Sequence, residues 1–380
     1  MTDITETEAL CFLQSIEGIY KSGIKKLKRE FGSYFAAATA FEHEYLNIIP
    51  HESVVSIISK RENLGIQSVM ADLNKRGINF VSLTDALYPS KLINIPDSPE
   101  GLYYIGKLPD VSAPSVAIIG ARNCSGYGRQ MAREFAREIS LNGIQIISGL
   151  ARGIDGISQE SALAVNGYTC GVLGSGVDVC YPKENLRLYE LCKSSGGIIS
   201  EYAPGTVPNP KLFPARNRII SGLSDSVIVI EAREHSGTLI TVNMALEQGR
   251  DVYALPGRVN ESLSYGCNLL IKDGAVPLLH PHEFVAEFYS RLGMTRLVNE
   301  TNSSTRNNEK DGLDSMDRFL SKNERHIINI LDYHPKTISE IYVEMQYSVQ
   351  LELTELMQLL TSMVIRHKIK CIDGCNYYIE

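Results

Sequence analysis

SVAIIGARNCSGYG, Ser115 to Gly128, decides the fold: Val116 to Ile119 run apolar without a break and empty into a glycine-rich turn. A short continuous apolar run of this kind is a strand buried on both faces, as in a parallel sheet. The pattern recurs as IQIISG (Ile144 to Gly149), TCGVLG (Thr169 to Gly174), GIISEY (Gly197 to Tyr202), SVIVIEA (Ser226 to Ala232) and DVYALPG (Asp251 to Gly257). Between the first two runs, Met131, Phe135 and Ile139 recur every fourth position, so Gly128 to Asn142 reads as a helix with one apolar face, ended by Gly143. Strand and helix alternating from about Pro114 to Pro277 predict a doubly wound, Rossmann-like α/β sheet.

Outward from this core, residues 1–85 have helical patterning, and the tyrosines and prolines of Leu87 to Asp110 suggest an ordered lead-in strand. After the core, TRLVNETNSSTRNNEKDGLDSMD, Thr295 to Asp317, is polar and poor in large apolar residues, which is linker composition. From Ser321 the pattern gives a helix, a short helix (Ile338 to Met345), a longer one (about Gln350 to Val364), then IKCI, an Asp373-Gly374 turn and NYYI. Three helices and a terminal hairpin predict a winged-helix-like domain. The expected divisions are therefore 1–85, 86–292, a linker at 293–320, and 321–380. No repeat has the period of a solenoid.

The whole chain has 380 residues, 44% hydrophobic and 21% charged, enough for two or three globular domains. Asp3, Glu6 and Glu8 stand where a secretory leader would carry basic residues, and no apolar run is long enough to span a bilayer, so a soluble, cytoplasmic protein is expected. The eight cysteines are scattered without a CxxC pair, so neither a disulfide framework nor a zinc site is expected. A net charge of −7 excludes a uniformly basic coat for nucleic acid while leaving room for a local basic patch.

In a doubly wound sheet, ligands sit beyond the carboxyl ends of the strands. Here those ends open into Gly120 to Gly128, Ser148 to Gly153 and Gly174-Ser175-Gly176, glycine-rich loops whose amides suit a phosphate; tight turns without a ligand are the alternative. The glycines do not fit G-x-G-x-x-G, and Ser148-Gly149 stands where a ribose-binding acid belongs, which disfavours a dinucleotide. No G-x-x-x-x-G-K-[ST] occurs, which disfavours an ATPase, and no cofactor or metal is expected. Pro208 to Arg218 (PNPKLFPARNR) holds three cations and no acid: Phe213 offers a ring for base stacking, and Lys211, Arg216 and Arg218 offer charge for phosphates. The alternatives are a core Phe213 and arginines paired with Glu201 and Asp225. His235 has no carboxylate to orient it beyond Glu234, and Asp155 and Asp178 read as cap or loop residues.

The ordered string VAIIGAR, ISGLARGID, GVLGSGVD with Tyr181-Pro182, SEYAPG, FPARNRIISGLS, VIVIEA, SGTLIT, EQGRDVYALPG and GCNLLI resembles the DNA-processing protein A (DprA, or Smf) family of bacteria, from about Tyr88 to Leu279. Ala121 and Gln159 depart from it, standing where serine and histidine are usual. The resemblance implies a single-stranded DNA-binding protein without catalytic activity, a homodimer that helps load a RecA-type recombinase during natural transformation. It also implies DNA contacts at Arg122, Gly149, Gly174, Lys211, Phe213, Arg216, Asn217 and Arg218, completed by Ser236, Gly237 and Asn268. The N-terminal region, with Lys25, Lys26, Lys28 and Arg29, faintly resembles a helix-hairpin-helix without its Gly-x-Gly turn, and reads as a SAM-like helical module with a solvated basic face. The competing reading is a nucleotide or phosphoribo-hydrolase of the lysine-decarboxylase-like Rossmann group, built on Glu231, Ser236 to Thr238 and Glu247; a third is a regulatory scaffold acting through the C-terminal domain.

Overall fold

The computed structural model describes residues 4–294, 321–331, 335–346, 352–366, 368–372 and 376–378. The chain divides into two compact units, 1–288 and 289–380. The first opens with helices α1 (Glu6–Gln14), α2 (Lys21–Phe31), α3 (Tyr34–Thr39), α4 (His51–Leu64) and α5 (Ile66–Lys75). Thr5 and Glu8 close a capping box on α1, satisfying donors that a helix start leaves open. The basic face of α2 is not simply solvated, because its charges hold neighbouring segments. Lys21 and Lys25 both meet Asp97, Lys28 meets Glu100, Arg29 pairs with Glu30, and Lys26 donates to the Asn47 carbonyl.

A nine-stranded sheet follows: β1 (Asn79–Ser82), β2 (Gly101–Gly106), β3 (Ser115–Ile119), β4 (Gln145–Ser148), β5 (Thr169–Val172), β6 (Gly197–Ser200), β7 (Ser226–Val229), β8 (Asp251–Ala254) and β9 (Val276–Pro277). Their order is β1-β2-β6-β5-β4-β3-β7-β8-β9. From β6 to β9 the pairings are parallel, whereas the lead-in strand β2 runs antiparallel to β6 and β1 antiparallel to β2. Strands β3 to β7 are buried along their whole length, which is why they read as unbroken apolar runs.

The sheet is covered by α6 (Gly126–Leu141), α7 (Ile154–Ala164), α8 (Leu186–Ser195), α9 (Leu212–Gly222), α10 (Gly237–Glu247), α11 (Ser262–Lys272) and α12 (Pro281–Arg291). On α6 the buried stripe is Ala132, Phe135, Ala136 and Ile139, so the expected Met131 falls at its margin. Leu10, Phe12, Leu13, Leu27 and Ile57 share one core with Tyr103, Tyr189 and Ile198, so residues 1–85 and the sheet pack as one body, and β1 lies in the sheet ahead of the division expected at residue 85. Val227, Val229, Ile219, Ile220, Val242 and Ala245 belong to a second core.

The second unit contains α13 (Lys322–Ile330), β10 (Lys336–Thr337), α14 (Ile338–Gln346), α15 (Leu353–Ile365), β11 (Lys370–Ile372) and β12 (Asn376–Tyr378). The strands pair in the order β10-β12-β11. On α15, Leu356, Leu360 and Met363 enter a core with Ile327, Ile341 and Tyr377, while Leu353 and Met357 are 43% and 47% exposed. Most of the linker and the Asp373-Gly374 turn lie outside the described residues. Among the described residues no helix is long and apolar enough to cross a membrane.

Candidate nucleic-acid interface

The strand order reverses at β3, the position where such sheets open a crevice. At the carboxyl ends of β3, β4 and β5 lies a pocket of about 190 Å³ whose lining includes Arg122, Gly149, Gly174, Tyr181, Phe213 and Arg216. That volume falls below the roughly 300–1,000 Å³ of sites that enclose a drug-sized ligand. It suits one base or one phosphate, with the remainder of a ligand outside.

Arg216 builds the floor. The residue is 5% exposed, and its guanidinium donates to the Gly149 carbonyl (3.0 Å) and the Val172 carbonyl, acceptors at the ends of β4 and β5, while its Nε donates to Asn217 Oδ1 (3.2 Å). A Cβ on residue 149 would lie 2.7 Å from both Arg216 Nη2 and Asp155 Oδ2, so only glycine fits there. Burial pulls the Arg216 guanidinium down to about 10, against the opposing pull of Asp155, and it stays protonated at neutral pH. Burial also pushes the Asp155 carboxyl up, with Arg216 and the Gly149 amide opposing.

Phe213 forms the wall. It sits in the first turn of α9, where Pro214 is tolerated because its missing N–H has no intrahelical partner. The ring stacks on Tyr181 (centroids 5.6 Å apart, planes 15°) and lies 5.6 Å from the Arg122 guanidinium carbon. Gly174 admits it: a Cβ there would come within 2.7 Å of Phe213 Cδ1. Lys211 stands at the N-cap position of α9, is exposed and has no ion-pair partner among the described residues. A cation at the positive end of a helix opposes the macrodipole, and a bound anion would relieve it.

Two of the three glycine-rich loops already bind side chains of the protein itself. Glu231, 3% exposed, accepts from the Ser125 amide (2.9 Å) and the Ser125 hydroxyl, which itself caps α6 through Gly128 N (3.0 Å). The protein's own carboxylate thus occupies the start of α6 where a phosphate was expected. In the second loop, Gly149 N donates to Asp155 (3.1 Å) and Leu150 N to Gln159 Oε1 (3.0 Å). Gln159 thereby holds Leu150 in the left-handed region, at φ 51°. Gly174 and Ser175, in the third loop, line the pocket and have no hydrogen-bond partner for their amides among the described residues.

The remaining expected residues are elsewhere. Arg218 is not part of the pocket: it is buried, donates twice to Glu201 (2.7 and 2.9 Å) and once to the Asp97 carbonyl (2.8 Å). Burial works against its charge, and the Glu201 and Asp97 carboxylates outweigh it. Asp225, the other acid considered as an arginine partner, is taken by Lys91 (2.7 Å) and the Ser115 amide (2.8 Å). Ser236 caps α10 through Thr238 N (3.2 Å), Gly237 is the first residue of that helix, and Asn268 clips Gly257 through its N–H and carbonyl (3.1 and 3.0 Å). None of the three lines the pocket. Tyr181 and Arg152 do, and neither was singled out from sequence; Arg152 pairs with Glu184 at the surface. Among the described residues no three His, Cys, Asp or Glu side chains are grouped as metal ligands.

Fold and site together define a protein of the extended Rossmann-like α/β class with a cationic, aromatic pocket at the carboxyl ends of β3, β4 and β5. The family model of DNA recombination-mediator protein A matches residues 79–289, and the chain belongs to that family. Among its relatives, DNA processing protein DprA of Streptococcus pneumoniae is 44% identical over 207 residues, 54% of this chain and 73% of that one. Protein Smf of Synechocystis sp. is 39% identical over 240 residues, and the match spans 62% of this chain and only 60% of the relative's length. The X-ray structure of the S. pneumoniae protein superposes with a TM-score of 0.62 at 34% identity, covering 75% of this chain and 99% of that one. A structure of DNA processing protein A from Helicobacter pylori, described for its single-stranded DNA binding mode, superposes with a TM-score of 0.50 at 31% identity over 56% of this chain and 96% of its own.

Proposed function

We propose that this chain is a non-enzymatic, cytoplasmic mediator of recombination that binds single-stranded DNA. The observation that carries the reading is the Phe213 ring, braced by Tyr181, Arg122 and a glycine that makes room for it, above the buried Arg216. Such a site gains from base stacking and phosphate charge without reading sequence. The H. pylori relative and its single-stranded DNA support it. Loading of a RecA-type recombinase, homodimerisation and a part in natural transformation are proposed with it, from the family. Arg122, Gly149, Gly174, Phe213 and Arg216 form the proposed contact set, with Lys211 at its edge and Asn217 steadying Arg216. Residues 86–292 are proposed as the DNA-binding domain and 321–380 as a winged-helix-like domain joined to it by 293–320. The commitment of Glu231 to Ser125 supports binding over nucleotide hydrolysis, which needs a carboxylate free to act on substrate.

Gel shifts of single- and double-stranded oligonucleotides at several salt concentrations test this. Tighter binding of the single strand is expected, with a log–log salt slope that flattens by about 0.7 for each phosphate contact removed. Unchanged affinity in a folded Arg122→Glu protein would remove the pocket from the reading. Release of product from ATP or nucleoside monophosphates that disappears in Glu231→Gln would favour the hydrolase.

A further inference from the structure

Arg129, Arg133 and Arg137 stand at successive fourth positions of α6, so they form one stripe along the helix, beside its buried face. All three are exposed, and none makes an ion pair or a side-chain hydrogen bond among the described residues. Acids are not scarce: the chain carries 44 Asp and Glu against 37 Lys and Arg. The nearest acids in sequence are engaged elsewhere, Glu134 accepting from Gln130 (2.6 Å) and Glu138 from Asn142 (3.0 Å). Helix α2 provides the contrast, since Lys21, Lys25, Lys28 and Arg29 on it each have a carboxylate partner. Like charges four apart on a helix repel, and an anion laid along them removes the repulsion.

Resting on the reading of the pocket as a single-stranded DNA site, we propose that this arginine stripe is the track along which the sugar-phosphate backbone of the same strand leaves it. The two features are continuous in the chain: Arg122 and Asn123 line the pocket, Ser125 caps α6, and Arg129 lies one turn in. The repeat also fits. Four helical residues advance about 6 Å, while a stacked strand advances about 3.4 Å along its axis per phosphate, so along a stacked strand successive arginines keep pace with nearly every second phosphate. The start of α6 offers no competing phosphate site, because Glu231 fills it. The stripe therefore adds length and salt dependence to binding and leaves base contacts to the pocket.

The test compares full-length protein with an Arg129→Gln/Arg133→Gln/Arg137→Gln variant, shown folded by circular dichroism, on oligothymidylates of about 4 and about 16 nucleotides. The expected result is little change on the short strand, at least a tenfold loss on the long one, and a salt slope lower by about 2 for three lost contacts. Equal affinities and slopes on both lengths would overturn the track while leaving the pocket intact. A loss of equal size on both lengths would also overturn it, since the arginines would then be acting on the pocket. Failure of the unmodified protein to bind either strand, or an unaffected Phe213→Ala variant, would instead count against the underlying reading.

Discussion

Arg216 and Arg218 stand two residues apart on α9, about 200° around the helix, and bind opposite sides of the interior. Arg216 caps the carboxyl ends of β4 and β5, whereas Arg218 is locked to Glu201, with which it shares an ion pair of two buried side chains. Removing one partner of such a pair strands the other charge. Arg218→Ala is therefore expected to lose about 3–5 kcal/mol of stability, and adding Glu201→Gln is expected to recover part of it. Urea denaturation followed by far-UV circular dichroism measures both; a loss below about 1 kcal/mol in the single variant would show that the pair contributes little.

Phe213→Ala is expected to weaken single-stranded DNA binding by about 1–3 kcal/mol, with a small change in stability. Gly174→Ala should act in the same direction, because its methyl group drives into the edge of the ring at 2.7 Å. Fluorescence anisotropy with a labelled oligothymidylate gives the affinities. Large losses of thermal stability with unchanged affinity would make Phe213 a packing residue.

Asp97 ties α2 to α9, accepting from Lys21 and Lys25 and facing Arg218. Burial alone would raise its carboxyl, but these cations hold it below the ordinary 3.8. A folded-state value below the unfolded one gives stability that is present above pH 3.8 and lost as pH falls through the folded value. Asp97→Asn should thus be less stable than the parent at pH 7, and the gap should close below pH 3.8. Denaturation midpoints at stepped pH test this; a gap that stays constant down to acid would show that the charge has no part in holding the helices.

Helix α15 carries no Lys or Arg from Leu353 to Ile365, and Glu355 lies in its first turn. A helix of that composition is poorly suited to a phosphate backbone. Removing residues 301–380, which lie wholly in the second unit, is expected to leave single-strand affinity within tenfold of the full chain. A gel shift of both proteins decides it; a larger drop, above about 1.4 kcal/mol, with oligomeric state unchanged, would give the second unit a direct DNA contact.

The six central strands were legible because burial on both faces leaves an uninterrupted apolar signature. Strands β1 and β9 were not, being a four-residue edge strand with two half-buried positions and a two-residue pairing. The ring of Phe213 and its surrounding charge could be read locally, since proline, phenylalanine and arginine share one short segment. Which arginine meets the pocket could not. Arg216 and Arg218 are chemically identical, and their division depends on helical phase and on where β6 brings Glu201. Tyr181 was legible as part of a family motif but not as a site residue, for a similar reason: it lies on the loop after β5, and its stacking on Phe213 arises only when two segments 32 residues apart come together. The internal occupation of two glycine-rich loops is equally non-local, since Glu231 lies 106 residues beyond the Ser125 that it binds.

Glu231 also bears on how such a protein fares among free nucleotides. A helix start already holding a carboxylate repels a second anion, so a mononucleotide finds no cradle for its phosphates there and is left with the pocket alone. A polymer adds many weak contacts across one surface and loses its rotational freedom only once. The buried carboxylate would in this way favour long strands over the small-molecule pool: millimolar nucleotide would be a poor competitor.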